Sequence, residues 1–508
     1  MVLQMILLDG HSLTLNDLVA IAHAGAPVGL TDAACERVRA ARRVVDDRAA
    51  GNEPIYGVNT GFGNFAEVAI PSESLATLQV NLLRSHAAGV GEPLPLPVVR
   101  AMTALRANVL SKGYSGIRLE TLQLVVELLN RQVVAVVPAR GSVGASGDLA
   151  PLAHLALVLI GEGDAWHEGR CEPGRATLRR AGLEPVTLAP KEGLALINGT
   201  QASTALLGLT LAGAERLARA ADIAAALSID GLRGSAHPFE ARIHRARGFS
   251  GQAVSAANLT ALIEGSGINA SHANCGRVQD AYSMRCAPQV HGAARDAFAF
   301  AHQVFDAEAN AATDNPMVFA DTGDIVSGGN FHGAPVAVAC DLLCIALAQL
   351  ATISERRAER LVNPALSGLP AFLTRRGGLQ SGLMMAQVTA AALASELKGL
   401  AHPASVDTIP TSGNKEDHVS MSMTAGLKAA RALELARHTV AIEVLCACQA
   451  IDLLQPLISS PPLMRVRDRV RAQVPTLDDD RAPSPDIAAI TALIETGDFE
   501  RACGLNVN

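Results

Sequence analysis

The chain has 508 residues, 49% hydrophobic and 18% charged, with a formal net charge of −7 and a mean hydropathy of +0.24. A small negative charge without a basic stripe argues against a nucleic-acid partner. So apolar a composition in a soluble protein points to surface buried against other subunits, and a homo-oligomer is the economical reading.

The first dozen residues lack the basic leader of a signal peptide, and a short strand is predicted near 4–8. Up to about residue 200, short apolar pieces alternate with glycine-rich turns at 56–63, 89–91 and 141–147. Helical spacing predicts helices over about 74–88 and 120–132, with a strand near 133–137. Beyond residue 200 the texture changes. Alanine- and leucine-rich segments of helical period run over about 202–227, 289–310, 334–361, 383–400 and 423–454. Segments so long with so few breakers predict a bundle of long helices. The expected division is therefore an N-terminal domain over 1–200 and a long-helix domain over 201–508. The latter ends in a tail that is proline-rich from about 459 and helical over 486–495.

The longest apolar run, 334–352, contains Asp341 and Gln349 and leads into Ser354-Glu-Arg-Arg357. That pattern predicts a buried core helix rather than a membrane span. The nine cysteines are odd in number and show no zinc spacing. Cys446 and Cys448, in an apolar helical run, are expected to be buried free thiols, and a reducing cytoplasm is the expected location.

Arg140-Gly-Ser-Val-Gly-Ala-Ser-Gly-Asp-Leu-Ala-Pro-Leu-Ala-His154 carries a glycine loop into an apolar helix. Asp148 falls where an N-cap belongs and Pro151 in the first turn, so the loop stands at the positive end of a helix dipole. A phosphate-binding loop would need Gly-Lys-Ser/Thr or a strand–GxGxxG–helix frame, and neither is present. A hydrolase elbow would need glycine where Asp148 stands. On these residues alone a plain glycine turn stays open.

Gly144-Ala-Ser-Gly-Asp-Leu-Ala-Pro-Leu-Ala-His154 also resembles the signature of the histidine and aromatic amino-acid ammonia-lyases, and the likeness runs from about residue 10 to the C-terminus. The resemblance implies that Ala145, Ser146 and Gly147 cyclise into a 4-methylidene-imidazol-5-one (MIO), with no metal and no external cofactor. Gly147 suits this, because without a side chain its amide nitrogen can approach the Ala145 carbonyl closely. Tyr56-Gly-Val-Asn-Thr-Gly-Phe-Gly63 is similar to the family's tyrosine loop, in a chain with three tyrosines. By resemblance Tyr56 removes the substrate β-proton. A phenol has a reference pKa of about 10, so this role calls for cationic or dipolar assistance.

Glu192-Gly-Leu-Ala-Leu-Ile-Asn198-Gly-Thr-Gln201 matches the family's asparagine motif and implies that Asn198 contacts the substrate and the prosthetic group. Within Val278-Gln-Asp-Ala-Tyr282-Ser-Met-Arg285, the resemblance makes Arg285 a bidentate clamp on the substrate carboxylate. Gln279 and Tyr282 complete that wall, and Tyr282 joins the catalytic set. Ser327-Gly-Gly-Asn-Phe331-His implies that Phe331 packs beside the prosthetic group, and Thr313-Asp-Asn-Pro316 is a marker of structural role.

Further positions bear on the substrate. Ser85-His86 stands where aromatic-specific members resemble Phe-Leu or His-Leu, and Thr411-Ser-Gly-Asn-Lys-Glu416-Asp-His resembles the segment of histidine-acting members. An imidazole needs polar partners for two nitrogens, whereas a buried carboxylate beside a phenyl ring would be an unpaired charge. His86 and Glu416 are thus expected to orient an imidazole, with Met384 contacting the side chain. Gly413 and Lys415 depart from the family pattern; Lys415 either pairs with Glu416 or faces solvent. The expected reaction is L-histidine to trans-urocanate and ammonia. The implied fold is mainly α, resembling the fumarase/aspartase-like superfamily, with a smaller N-terminal domain carrying the MIO loop. The implied assembly is a soluble homotetramer with shared active sites and no membrane. Alternatives are a tyrosine or phenylalanine ammonia-lyase or aminomutase on the same scaffold, or a non-catalytic helical assembly protein.

Overall fold

A computed structural model describes residues 4–51, 53–61, 63–65, 67–273 and 275–507. Phe62, inside the tyrosine motif, lies outside the described residues. Contacts divide the chain into two compact units. One comprises Met1–Leu209, His302–Asp341 and Pro403–Leu427; the other comprises Thr210–Ala301, Leu342–His402 and Lys428–Asn508. The sequence reading divides the chain once, at residue 200, whereas these units interleave along it.

Helices dominate, and the expected long ones are present as Gln201–Gly231, Ala287–Ala309, Ala334–Val362, Met384–Leu400 and Ser422–Leu453. The mainly α, long-helix class of the fumarase/aspartase-like superfamily is the one observed. Strands are short and peripheral. Ile6–Leu8 pairs in parallel with Val28–Leu30, and Val90–Pro93 runs antiparallel to Pro138–Arg140. The predicted strand near 133–137 is Val134–Ala135, on the edge of a three-stranded sheet with Asp164–His167 and Arg170–Pro173.

In the first unit, sequence periodicity missed two long helices, besides short ones such as Leu15–Val19 and Gly174–Arg180. Asp32–Ala49 is capped by Thr31, whose hydroxyl accepts from Ala34 N at 3.2 Å. It buries Ala34, Val38, Ala41 and Val45, small residues that give a weak stripe among its arginines and aspartates. Ala41 and Val45 pack on Val58 and Val318, beneath the tyrosine loop. Leu96–Ser111 is buried on nearly all sides, polar Arg106 and Asn108 included, so it has no amphipathic signature to detect.

The second unit holds two buried ionic groups. His291 Nδ1 meets Asp222 Oδ1 at 2.7 Å, and Arg295 reaches Asp222 Oδ2 at 2.6 Å. Arg357 pairs with Glu443 through both carboxylate oxygens, at 2.5 and 2.9 Å. The proline-rich stretch near 459 proves to start a helix, Pro461–Arg471. Its prolines occupy the first turn, where no backbone N–H is missed, and Ser460 caps it. Ala334–Val362 is long and apolar enough to cross a membrane, yet 72% of its most apolar window is buried within the chain, as in a core helix.

Burial pushes the His291 imidazole below its ordinary value of 6.5, with Asp222 only partly opposing and Arg357 reinforcing. Below about pH 6.5 the unfolded chain takes up a proton here that the folded chain does not. Stability present above that value is therefore lost as pH falls toward the folded pKa. The midpoint of thermal unfolding is expected to drop between about pH 7 and about pH 5, and to drop less in His291→Gln. An equal slope in the two proteins would assign the acid sensitivity elsewhere.

Candidate active site

A cavity of about 770 Å³ opens within the first unit, lined by Tyr56, His86, Ala145, Ser146, Asn198, Phe331 and Glu416. These residues come from sequence positions hundreds apart, and each is delivered by a distinct device.

The Ala145–Gly147 loop is clamped from both sides. Ser420 Oγ donates to Gly144 O at 2.8 Å, and Met421 N donates to Val143 O at 2.8 Å. On the other side Asp148 N donates to Gly199 O at 2.7 Å. Gly147 has φ of +73°, and a Cβ there would collide with the Gly199 backbone. Glycine is thus required twice, for conformation and for space. Asp148 does occupy the N-cap position of Leu149–Leu159, but its carboxylate makes no capping bond to that helix. It accepts instead from Ser142 Oγ at 2.9 Å, Ser203 N at 2.8 Å and Ser203 Oγ at 2.9 Å. The buried carboxylate therefore caps the start of Gln201–Gly231, tying the loop to a second helix N-terminus. Burial pushes the Asp148 carboxyl up, against these bonds.

Asn198 follows the short helix Glu192–Ile197 in extended conformation, and its Nδ2 donates to Ser146 O at 2.8 Å. Asn198 Oδ1 is buried without a partner among the described residues. An unpaired buried carbonyl oxygen beside the loop is an acceptor awaiting an N–H.

Glu416 is held by hydroxyls. Ser146 Oγ donates to Oε1 at 2.5 Å, and Thr411 Oγ1 and Ser412 Oγ donate to Oε2 at 2.5 and 2.8 Å. Burial pushes its carboxyl up, but these donors and nearby His86 outweigh that and hold it below the ordinary carboxylate range. The turn that presents it needs left-handed backbone, with φ of +63° at Gly413, which gives a conformational reason for glycine at that departure from the family pattern. Lys415 lines the cavity but is exposed, and among the described residues it forms no ion pair with Glu416.

His86 ends the helix Leu75–His86, and its Nδ1 lies 2.9 Å from Leu82 O. Ser85 Oγ lies 3.1 Å from the same nitrogen; the carbonyl, which only accepts, favours the proton on Nδ1 and leaves Nε2 as the acceptor of the neutral ring. Burial lowers the His86 pKa, which keeps that ring neutral at pH 7. For Tyr56, burial raises the phenol pKa, the Gly63 backbone hydrogen bond lowers it, and the Glu416 charge raises it again. The net direction is upward, opposite to the assistance a phenolate base needs. Its turn is tight: a Cβ on Gly57 would meet Leu194 Cδ2 at 2.8 Å.

Phe331 is half-buried in the wall, on a segment pinned by Asn315, whose Oδ1 accepts from Ser327 Oγ at 3.1 Å and Gly328 N at 2.7 Å. Sequence reasoning passed over His332 and His418, which stack with ring centroids 5.9 Å apart in the same cavity wall. His332 directly follows Phe331 in its motif, and that adjacency was the available signal.

Gln279, Tyr282, Arg285 and Met384 belong to the second unit. Arg285 lies over the Tyr282 ring at 4.6 Å and donates to Gln279 Oε1 at 3.1 Å and Asp280 O at 3.0 Å. Gln279 and Arg285 line a cavity of about 910 Å³ there, and Tyr282 is 70% exposed. Met384 begins the helix Met384–Leu400 and is half-buried.

Residues 13–472 match the model of the aromatic amino acid lyase family. The chain belongs to this family. Histidine ammonia-lyase from Anaeromyxobacter sp. (strain K) is 58% identical over 507 residues, which cover 98% of this chain and 100% of that protein. A crystal structure of histidine ammonia-lyase from Trypanosoma cruzi superposes with a TM-score of 0.92 at 45% identity, covering 99% of this chain and 95% of the other. Tyrosine aminomutase from Streptomyces globisporus superposes with a TM-score of 0.94 at 37% identity, covering 99% and 98%. Aromatic amino acid lyases and aminomutases thus share this backbone almost equally, so the fold alone does not choose the substrate.

Proposed function

We propose that this protein is a histidine ammonia-lyase, converting L-histidine to trans-urocanate and ammonia. The observation that carries the reading is the pair of acceptors in the first unit's cavity: ionised Glu416 and the Nε2 of neutral His86. They match the two N–H groups of an imidazolium ring, whereas a phenyl ring would offer neither of them a donor. The identity to histidine ammonia-lyases over nearly the whole chain supports the same choice.

The loop fits the family's prosthetic group. Gly147 has no Cβ to obstruct it, Asn198 Nδ2 faces the Ser146 carbonyl, and Asn198 Oδ1 lacks a partner. In maturation the Gly147 nitrogen bonds to the Ala145 carbonyl carbon, whose oxygen leaves as water; Ser146 then loses its Cα proton and its hydroxyl as a second water. The resulting MIO supplies an electrophilic methylidene carbon for the substrate amine. Asn198 holds the carbonyl of the former Ser146, and its Oδ1 offers an acceptor to the amine. Tyr56 takes the β-proton; its raised pKa calls for cationic help in the assembled protein.

Arg285 holds the carboxylate, with Gln279 and Tyr282 beside it, and Met384 contacts the side chain. The exposure of Tyr282 at 70%, Val278 at 95% and Leu379 at 82% supports association in which neighbouring subunits cover these residues, and the family resemblance makes that assembly a homotetramer with shared active sites. None of the nine cysteines is in a disulfide, the state that a cytoplasmic location maintains. Incubating the purified protein separately with L-histidine, L-phenylalanine and L-tyrosine, and following the ultraviolet absorbance of product, tests the assignment. Urocanate from histidine alone is expected. Cinnamate or coumarate without urocanate would overturn it.

A further inference from the structure

Arg106 stands in the middle of the buried helix Leu96–Ser111, wholly shielded from solvent, and no motif of the sequence draws attention to it. Its guanidinium reaches the turn that follows the helix Glu192–Ile197. One nitrogen donates to Asn198 O and Gln201 Oε1, both at 2.8 Å, and another donates to Ala195 O. Gln201 Nε2 passes the connection on to Thr313 Oγ1 at 2.8 Å. Gly199 sits inside this cradle with φ of +155°, where a Cβ would meet Arg106 at 2.6 Å and Thr313 Oγ1 at 2.9 Å. The backbone here is therefore shaped around the guanidinium.

The turn so held is the one that touches the Ala145–Gly147 loop. Asn198 Nδ2 bonds to Ser146 O, and Gly199 O receives Asp148 N. Burial pushes the Arg106 pKa down to about 10, with Asp314 opposing, so the group stays cationic at neutral pH. Buried Asp314 in turn pairs with buried Lys191 at 3.4 Å. A buried charge is costly unless it is hydrogen-bonded, and here both terminal nitrogens are, to the carbonyls of Ala195 and Asn198 and to Gln201 Oε1, while Nε has no partner among the described residues.

We propose that Arg106 is a positioning residue, whose forked guanidinium sets the Asn198–Gly199 turn against the Ala145–Gly147 loop and so governs both loop maturation and the aim of the Asn198 amide. This rests on the functional reading above, since it presumes that the loop cyclises and that Asn198 serves the reaction. Arginine is suited to the task because its planar fork addresses several oxygens at once, whereas an ammonium is a single compact donor.

The test compares the full-length protein with Arg106→Lys, which keeps the charge and loses the fork, and with Gln201→Met, which removes one acceptor and leaves the arginine. Intact mass is followed over time after synthesis, thermal midpoints are recorded, and kinetics are measured on the matured fraction. Folded Arg106→Lys is expected to lose its two waters more slowly and to show kcat lowered about a hundredfold with KM within about twofold, as misplacement of a reacting group produces. A purely structural role would lower the thermal midpoint and leave the kcat of the matured fraction unchanged. Maturation and kcat equal to the parent in folded Arg106→Lys would overturn the inference. If that variant does not fold, Gln201→Met decides: a kcat about tenfold lower at unchanged KM supports it, and a parental kcat overturns it. An unaltered protein that loses no water, or turns over no amino acid, would instead sink the functional reading itself.

Discussion

In Ser146→Ala the protein is expected to fold, to keep the mass of the water that Ser146 would have lost, and to lose turnover by on the order of 10³-fold or more. Alanine at 146 has no hydroxyl to leave, so no methylidene carbon can form whatever the ring does. The packing cost is small. Ser146 Oγ is half-exposed in the cavity and its one partner, Glu416 Oε1, keeps Thr411 and Ser412 as donors to its other oxygen. The clamps on the loop, from Ser420, Met421 and Asp148, involve backbone at neighbouring positions and are untouched. The thermal midpoint should thus stay close to that of the parent while activity disappears. Intact mass and a urocanate assay on the same sample check this, and full activity in the variant would remove the electrophile from the mechanism.

Glu416→Gln is expected to lower kcat/KM on L-histidine about 10- to 100-fold, the scale of one hydrogen bond to a charged partner. Glutamine keeps the volume, still accepts through its oxygen from Thr411 or Ser412, and loses the charge that complements a cationic ring. Kinetics are read on the matured fraction, because Glu416 accepts from the Ser146 hydroxyl that maturation removes. The loss should be larger for histidine than for phenylalanine or tyrosine, whose rings gain nothing from a carboxylate. Steady-state kinetics on all three amino acids give the comparison. A uniform loss across them would assign Glu416 to the chemistry common to the family rather than to ring recognition.

Much of the fold was legible because the long helices carry continuous helical spacing with few breakers, and their ends fall within a few residues of expectation, as in Gln201–Gly231 and Ser422–Leu453. What escaped did so for physical reasons. Leu96–Ser111 is buried on nearly all sides and so lacks a polar face; Asp32–Ala49 buries mostly alanine and valine beneath a charged surface. Pro461–Arg471 begins on prolines that resemble a breaker but fill positions with no N–H to lose.

The candidate site divides in the same way. Ala145-Ser146-Gly147, Asn198, Phe331 and Glu416 were legible as motifs, since each needs a particular residue type at a particular chemical task. The sequence by itself determined the reaction class and nominated the reacting groups. Only the tertiary structure decided what those groups are held by: the hydroxyls of Thr411 and Ser412, with that of Ser146 before maturation, hold Glu416, the Leu82 carbonyl sits against His86 Nδ1, and Asp148 caps a distant helix rather than its own. It alone brought Arg106 to Asn198, across 92 positions of chain. Motifs record local chemistry, whereas protonation states and positioning bonds depend on burial and on partners remote in sequence, which exist only once the chain has folded.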